Sequence, residues 1–366
     1  MPNQVSLIND GYVQSVGFLH PAVAGPVTLA AKGSYRLFGV CSDYSGNIFV
    51  ADPSYHIILK ITPNGGTYLY GGAAGVASRN GTVPVRQSAS RFNTPRGIAC
   101  DAYGNLYVAD SGNNQIRKIT PDGWVSVLAG DPNGVAGYVN GTSARFSAPW
   151  DVAIDTSNNI YIADYTNNCI RFVKNGLQSV CTISGTNVAG DVYGAGATAR
   201  YRNPRSIAVD QGGMCYVADY GNYKIKRMNQ DGFAYKFSGT GVRGTTAGAG
   251  TVARFEDLFM VTTDRSGNVY AIDYDETVGA RLLRVTADGF VNVEYKFLTV
   301  ATQPLVCGID VNRSGKLFII ESAFGDLFYS SSSSSSLDSH SSNSSSSTSS
   351  SSNSSFSVSS SSSSST

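Results

Sequence analysis

The chain has 366 residues, of which 42 % are hydrophobic and 11 % aromatic, so it can bury a large core. Charged residues make up only 14 %, and 40 glycines with 21 tyrosines favour turn-rich β structure over a helical fold. The formal net charge of +1 excludes a global attraction to nucleic acid or anionic lipid, so any electrostatic role needs local clustering.

The start of the chain gives no sign of secretion or membrane insertion. Met1-Pro2-Asn3-Gln4 leads into neither the basic region nor the apolar core of a signal peptide, and the longest apolar runs have the length of strands. We therefore expect a cytoplasmic or particle-associated location. Residues 1–26 are interpreted as an N-terminal extension.

A unit of four short strands recurs from about residue 27 onwards, with a second strand that ends in Ala-Asp. Each unit has the strand content of one propeller blade. The sequence therefore predicts an all-β, six-bladed β-propeller of four-stranded antiparallel blades over residues 27–329. The acid that ends the first strand stands at Asp43, Asp101, Asp155, Asp210 and Asp264, with Asn312 in the sixth place.

The sixth unit is incomplete, because after a third strand near 326–329 the chain runs into serine. A propeller ring must close to protect the edges of its end strands. We expect the missing outer strand to come from residues 27–31, so that an N-terminal strand closes the ring.

A signature of the form Ala-Arg-Phe-x-x-Pro precedes several inner strands. Copies or variants occupy residues 90–95, 144–149 and 199–204, and a degenerate copy begins at Ala253. Together with the Asn-rich segments 113–116, 167–170 and 222–225, and with His56 at the corresponding place, these motifs resemble the NHL-repeat β-propeller family, in particular the subgroup found in teneurins and bacterial NHL proteins. The resemblance implies the fold over residues 27–329, whereas function differs widely among propellers.

Two recurring sets of charged residues have a structural interpretation. A ring of carboxylates could bind metal, but an acid repeated in five blades more simply accepts backbone N–H bonds from the loop that follows it. The signature arginines can tie a long loop to carbonyls or to a neighbouring carboxylate. The structural residues are thus Asp52, Asp110, Asp164, Asp219, Asp273, Arg91, Arg145, Arg200 and Arg254.

Four connections between blades, residues 71–92, 130–146, 185–201 and 239–255, are long. Such connections begin and end on one face of a propeller, here named the top face, and the opposite face is the bottom face. We expect these loops to surround the top face and to leave a notch near blades one and six, because the connections into those two blades are short. Long loops are often functional, so binding residues are expected on the top face. The candidate binding residues are Arg79, Arg86, Arg96, Arg202, Arg205, Tyr138 and Tyr193.

Catalytic sets have little support in the sequence. His56 is the only histidine within the ring, which excludes a three-histidine zinc site and histidine-dependent nucleophiles there. Asp310 takes an inner-strand place that Ala, Thr or Cys holds in the other units, so it is the candidate channel acid or metal ligand. No cofactor is predicted, and a divalent cation in the channel stays an alternative.

The sequence thus predicts a noncatalytic binding or assembly scaffold for a protein or glycan partner. The alternative is a metal-assisted hydrolase or lyase at the channel mouth. RNA binding by a basic top face is a lesser alternative, because the loops lack interleaved aromatic residues.

The cysteines and the chain end complete the prediction. Six scattered cysteines indicate buried free thiols, and only Cys169 and Cys181 flank a turn across which they could meet. Residues 330–366 are almost entirely serine and cannot bury enough surface to fold, so we expect a disordered tail. The tail and the N-terminal segment are expected on the bottom face, tethering the protein to a larger partner.

Overall fold

Short strands joined by tight turns make up almost all of the described structure. The computed structural model describes residues 4–9, 12–17, 38–64, 66–72, 84–275, 279–296, 306–311 and 317–321. The predicted disordered tail, residues 330–366, lies outside these ranges. No helix among the described residues is long and apolar enough to cross a membrane, since the helical segments are three 3-10 turns, Gln87–Ala89, Ser111–Asn113 and Tyr220–Asn222.

The strands are numbered in chain order. They are β1 (Gln4–Asn9), β2 (Tyr12–Gly17), β3 (Val40–Ser42), β4 (Ile48–Asp52), β5 (Ile57–Ile61), β6 (Thr67–Gly72), β7 (Val85–Arg86), β8 (Pro95–Cys100), β9 (Leu106–Asp110), β10 (Gln115–Ile119), β11 (Trp124–Ala129), β12 (Pro149–Ile154), β13 (Ile160–Asp164), β14 (Cys169–Val173), β15 (Val180–Gly185), β16 (Pro204–Val209), β17 (Cys215–Asp219), β18 (Lys224–Met228), β19 (Ala234–Ser238), β20 (Leu258–Thr263), β21 (Val269–Asp275), β22 (Gly279–Val285), β23 (Val291–Lys296), β24 (Val306–Val311) and β25 (Leu317–Glu321).

The strands form antiparallel sheets that surround a central channel. Blades one to five each use consecutive strands, β3 to β6, β8 to β11, β12 to β15, β16 to β19 and β20 to β23, and β7 adds a fifth strand to the outside of blade two. A further sheet has the order β24-β25-β1-β2. The first strands of all these sheets contact one another in a closed cycle and line the channel. The chain is therefore an all-β propeller with four-stranded antiparallel blades.

The prediction of a six-bladed propeller with four-stranded blades agrees with the structure only in part. Five blades are continuous in sequence, whereas the sixth position holds a sheet assembled from both ends of the described chain. β1 pairs with β25 from Gln4 opposite Glu321 to Ile8 opposite Leu317, and β2 pairs on the outside of β1.

The latch was therefore predicted in the wrong place. Residues 4–17, which the sequence analysis assigned to an extension, supply the two strands expected from residues 326–329 and 27–31; both of those segments lie outside the described residues. The physical signal was present, because Asp10-Gly11 between two strand-like runs is typical of a tight hairpin turn. A hairpin brings two strands to the sheet as one unit.

The long connections lie at the rim of the ring where they can be followed. The loop into blade three pairs at Gly141 with Val180 of that blade's outer strand, and the loops into blades four and five pair at Gly194 and Gly248 in the same way. The predicted wall around the top face was wrong at these points. The reason is that an outer strand would otherwise present unpaired N–H and C=O groups.

The aromatic residue of each signature packs between neighbouring blades. Phe92, Phe146, Tyr201 and Phe255 are fully buried. Phe146, for example, belongs to one apolar cluster with Ala109 of blade two and Ile162 of blade three. The signature thus joins each blade to the next by burying a large ring, which is worth on the order of 2–3 kcal/mol of transfer free energy.

The described cysteines are free thiols, but not all are buried. Cys181 is exposed and Cys100 is partly exposed. Cys181 stands opposite Phe172, and Cys169 stands opposite Gly185. The suggested meeting of Cys169 and Cys181 across the hairpin was therefore wrong, because the register places them at different rungs of the ladder.

A side chain in the left-handed backbone region links each of the first three blades to the next. His56, with φ of 61°, accepts a hydrogen bond at Nδ1 from the backbone N–H of Thr94, at 2.9 Å. Asn114 and Asn168 make the same bond to the next blade through Oδ1, at 2.8 and 2.9 Å. The histidine at the family-motif position is thus an acceptor between blades.

We expect the His56→Asn variant to lose the pH dependence of this link. Burial lowers the pKa of His56, because removal from water penalises the charged imidazolium. The neutral ring is also the form whose Nδ1 can accept the bond. A lowered folded-state pKa means that stability is complete above the ordinary value near 6.5 and falls as the pH drops below it. Urea unfolding at several pH values between 5.5 and 7.5 should show wild type losing stability relative to His56→Asn towards low pH. A constant difference would contradict the assignment.

Candidate functional site

The acids that end the second strands are buried in pairs with cations of the adjoining third strand. Asp110 lies 3.3 Å from Arg117, and Asp164 lies 2.9 Å from Arg171, with all four side chains fully buried. Lys226 takes the same place beside Asp219, whereas Arg281 pairs with Asp273 from the rung directly opposite it. Leu59 of blade one and Leu283 of blade five stand at the place of Arg117.

These acids also brace loops, because they accept backbone N–H bonds from the loop before the blade and side-chain amide bonds from the loop after the second strand. Asp110 Oδ1 accepts the backbone N–H of Asn93, and Asp164 Oδ1 accepts that of Ser147. Asp52 makes the expected bonds to the following loop, from the N–H groups of Ser54 and Tyr55. Burial raises the pKa of Asp110, Asp164 and Asp273 to about 6 and raises that of Asp219, while the paired cations act in the opposite direction.

The signature arginines hold the buried cations chiefly through hydrogen bonds to their backbone carbonyl oxygens. The carbonyl oxygens of Arg91 and Arg145 accept bonds from Arg117 and Arg171, each at 3.0 Å, and that of Arg200 accepts from Lys226 at 2.6 Å. Among their side chains, Arg145 pairs with the carboxylate of Asp131 at 3.1 Å. Arg254 is exposed and makes no ion pair with a described residue.

The central channel contains a cavity of about 260 Å³ lined by the inner strands of all the sheets. Asp310 lies in this lining, where its Oδ2 accepts a hydrogen bond from Ser42 Oγ at 3.3 Å. Asp151 also lines the cavity, and its carboxylate accepts bonds from Val152 N–H, Ser206 Oγ and Ile207 N–H at 2.7 to 3.0 Å. Burial raises the pKa of both acids to about 6.

Large side chains from five blades meet at one end of the channel. Four of them are the second residue of an inner strand, and the fifth, Phe38, lies two residues before β3. We name this cluster the channel mouth: Phe38, Arg96, Trp150, Arg205 and Phe259.

Trp150 is the centre of the channel mouth. The Arg96 guanidinium carbon lies 3.6 Å from the centroid of its indole, and Tyr165 stacks at 4.3 Å between ring centroids. Phe38 meets Trp150 edge-on at 5.6 Å and also lies 6.0 Å from Phe259, so rings from blades one, three and five come together over the channel.

Arg205 is the second anchor of the channel mouth. Its NH1 lies 2.6 Å from Oδ1 of Asp257, and its guanidinium lies 3.5 Å from the centroid of Tyr220 and 4.5 Å from that of Phe259. Asp257 stands where the three preceding signatures have Thr94, Ala148 and Asn203. The repeat is therefore broken at the residue that pairs with Arg205.

The structure brings together only two of the predicted binding residues, Arg96 and Arg205. Arg86 lies on the outer edge of blade two, stacked on Trp124 at 4.4 Å. Tyr138 and Tyr193 instead lie over the buried cations Arg171 and Lys226, at 5.3 and 5.1 Å. Arg202 is exposed, and Arg79 lies outside the described residues.

Sequence reasoning missed Trp150, Phe38, Phe259, Tyr165 and Tyr220. The available signal was the residue after the signature proline, which is Arg96, Trp150 or Arg205 in three successive units. A repeat position that changes chemistry from blade to blade does not serve a shared structural need.

Comparison with known proteins supports the repeat assignment. The family model described as "NHL repeat" matches residues 92–119 and 146–171. NHL repeat-containing protein 2 of Bos taurus is 30 % identical over 174 residues, covering 44 % of this chain and 24 % of its own length. Teneurin-1 of Gallus gallus is 26 % identical over 162 residues, covering 40 % of this chain and 6 % of its own length. The chain thus spans a quarter or less of these two relatives.

A solved structure described as that of a streptogramin B lyase is similar with a TM-score of 0.53 and 16 % identity, covering 87 % of each chain. At this identity the likeness supports the propeller fold alone. The family-model match and the sequence relatives confirm the resemblance to the NHL-repeat family that the repeated motifs show.

Proposed function

We propose that the protein is a noncatalytic binding scaffold, closed as a six-bladed ring, which engages a protein partner at the channel mouth. The observation that carries this proposal is the convergence of Trp150 with two arginines and two phenylalanines from different blades. Trp, Tyr and Arg are the residues that most often dominate binding energy in protein interfaces. A glycan partner is the second possibility within the same function, and residues 330–366 are proposed as the tether.

Binding is favoured over metal-assisted hydrolysis because the channel acids are already engaged. The carboxylate of Asp151 accepts three hydrogen bonds, and that of Asp310 accepts one from Ser42 Oγ. No group of three or more metal-ligating side chains occurs among the described residues. These acids link neighbouring inner strands, as Asp151 does with Ser206 of the next blade.

We expect Trp150→Ala to release the partner while Trp124→Ala retains it. Both tryptophans stack on an arginine, but Trp124 lies on the outer edge of blade two. A hot-spot tryptophan contributes about 2 kcal/mol or more, so recovery of proteins bound to tagged full-length chain should fall at least ~30-fold. Quantitative mass spectrometry of chemically cross-linked complexes from the native cells measures this and maps cross-links near residue 150.

Thermal unfolding of both variants provides the control for folding. A folded Trp150→Ala protein that keeps the wild-type partners would contradict the proposal. If only Trp124→Ala loses the partners, the interface lies at the outer edge of blade two and not at the channel mouth.

A further inference from the structure

Five acids of blades four and five, and of the loops that lead into them, are paired with cations. Asp257 pairs with Arg205 at 2.6 Å, and Glu256 pairs with Arg243 at 2.7 Å. Asp219 pairs with Lys226 at 2.8 Å, and Asp191 pairs with the same lysine at 2.9 Å. Asp273 pairs with Arg281.

Three arginines in the signatures that lead into blades four and five have no such partner. The guanidinium groups of Arg200, Arg202 and Arg254 make no ion pair with any residue in the described part of the chain. Arg202 is exposed, and its stem packs against Gly221, next to the Tyr220 ring on which Arg205 stacks. An unmatched guanidinium therefore lies beside the channel mouth.

We infer that the channel mouth takes a carboxylate-bearing, acidic segment of its protein partner, with Arg202 as the group that receives the carboxylate. The inference rests on the proposed function. A guanidinium presents a planar fork of donors that matches a carboxylate in two hydrogen bonds. The partly exposed Trp150 then contacts the backbone and stems of the bound segment, above the buried rings of Phe38 and Phe259.

The same geometry disfavours single-stranded RNA. Sequence-tolerant binding of RNA uses aromatic faces on which bases stack. The Trp150 indole already carries Arg96 at 3.6 Å and Tyr165 at 4.3 Å, and Tyr220 carries Arg205 at 3.5 Å. The stacking surfaces of the channel mouth are thus used within the protein, whereas the Arg202 guanidinium is available for a carboxylate.

The test measures binding of three fluorescein-labelled probes to the full chain by anisotropy: octaglutamate, octalysine and octauridylate RNA. We expect octaglutamate to bind, and Arg202→Glu to weaken it at least tenfold, since a hydrogen bond to a charged group contributes about 1.5 kcal/mol or more. Arg202→Gln should lie between the two. Arg265→Glu is the matched control, because Arg265 is also exposed and lies in a turn at the opposite end of blade five; it should leave binding within twofold.

Each contrary result overturns the inference in a different way. Octaglutamate that binds no better than octalysine, or equally well to Arg202→Glu, removes the acidic ligand class. Octauridylate that binds as tightly as octaglutamate identifies RNA instead. The partner-release experiment on Trp150→Ala uses no acidic probe, so it can succeed where this one fails, and the two failures are distinguishable.

Discussion

Gly97→Ala should destabilise the propeller by about 3 kcal/mol or prevent its folding, because a methyl group at this position has no space. A Cβ on Gly97 would lie 2.0 Å from Asp151 Oδ1 and 2.5 Å from Asp151 Cα. The Asp151 carboxylate cannot move aside freely, since Val152, Ser206 and Ile207 donate hydrogen bonds to it. Urea unfolding followed by tryptophan fluorescence measures the loss.

Gly212→Ala is the control for Gly97→Ala, because it makes the same substitution at a glycine that has space for a methyl group. A Cβ on Gly212 would meet only Asp210 Oδ1, at 3.3 Å. Gly212→Ala should therefore change the free energy of unfolding by less than about 1 kcal/mol. Adding Asp151→Ala to Gly97→Ala should not restore stability, because the Cα atom of residue 151 remains in the way. Equal stability of the two alanine variants would show that the inner strands can separate.

Asp164→Asn should cost about 3–5 kcal/mol, because it leaves the fully buried Arg171 guanidinium without its counter-charge. Arg171 keeps bonds to the carbonyl oxygens of Arg145 and Val139, which do not neutralise it. Replacing both residues, as Asp164→Asn with Arg171→Met, should cost less than the sum of the single changes. The chemical-denaturation midpoints of the four proteins give this coupling energy.

The exposed pair of Arg284 and Glu294 serves as the comparison. Its atoms lie 2.6 Å apart, but 37 % and 36 % of the side chains are exposed. Glu294→Gln should therefore cost less than about 1 kcal/mol, because water screens the pair. If Asp164→Asn is equally mild, the buried pairs do not secure the blades.

The sequence was most informative where every blade needs the same group. The acids of the second strands were visible as a structural set, because four of the five terminate a fully buried strand such as Leu106–Asp110, and Asp273 stands two residues before the end of β21. Their partners were not visible, since Arg117 stands in Ile-Arg-Lys-Ile and looks like an ordinary strand cation. Only tertiary packing shows that Arg117 turns inwards whereas Lys118 does not.

The residues of the channel mouth could not be found from a repeated pattern, because they differ from blade to blade. No sequence prediction selected Trp150, which directly follows the signature at residues 144–149. Its role depends on Arg96, Arg205 and Phe38, which are far apart in sequence and meet only after the ring closes. Loop length was a poor guide to function here, because the loops protect outer strands through backbone pairing that any residue can make.

The pairing of β1 with β25 also sets the order in which the protein can mature. Ribosomes add about 5–20 residues per second, so roughly half a minute separates the synthesis of the first strand from that of its partner at Leu317–Glu321. During this time the five continuous blades can assemble, but the ring has no closing seam. Truncated chains would therefore leave their first hairpin unpaired, and a nascent chain needs protection of these strand edges until its last blade emerges.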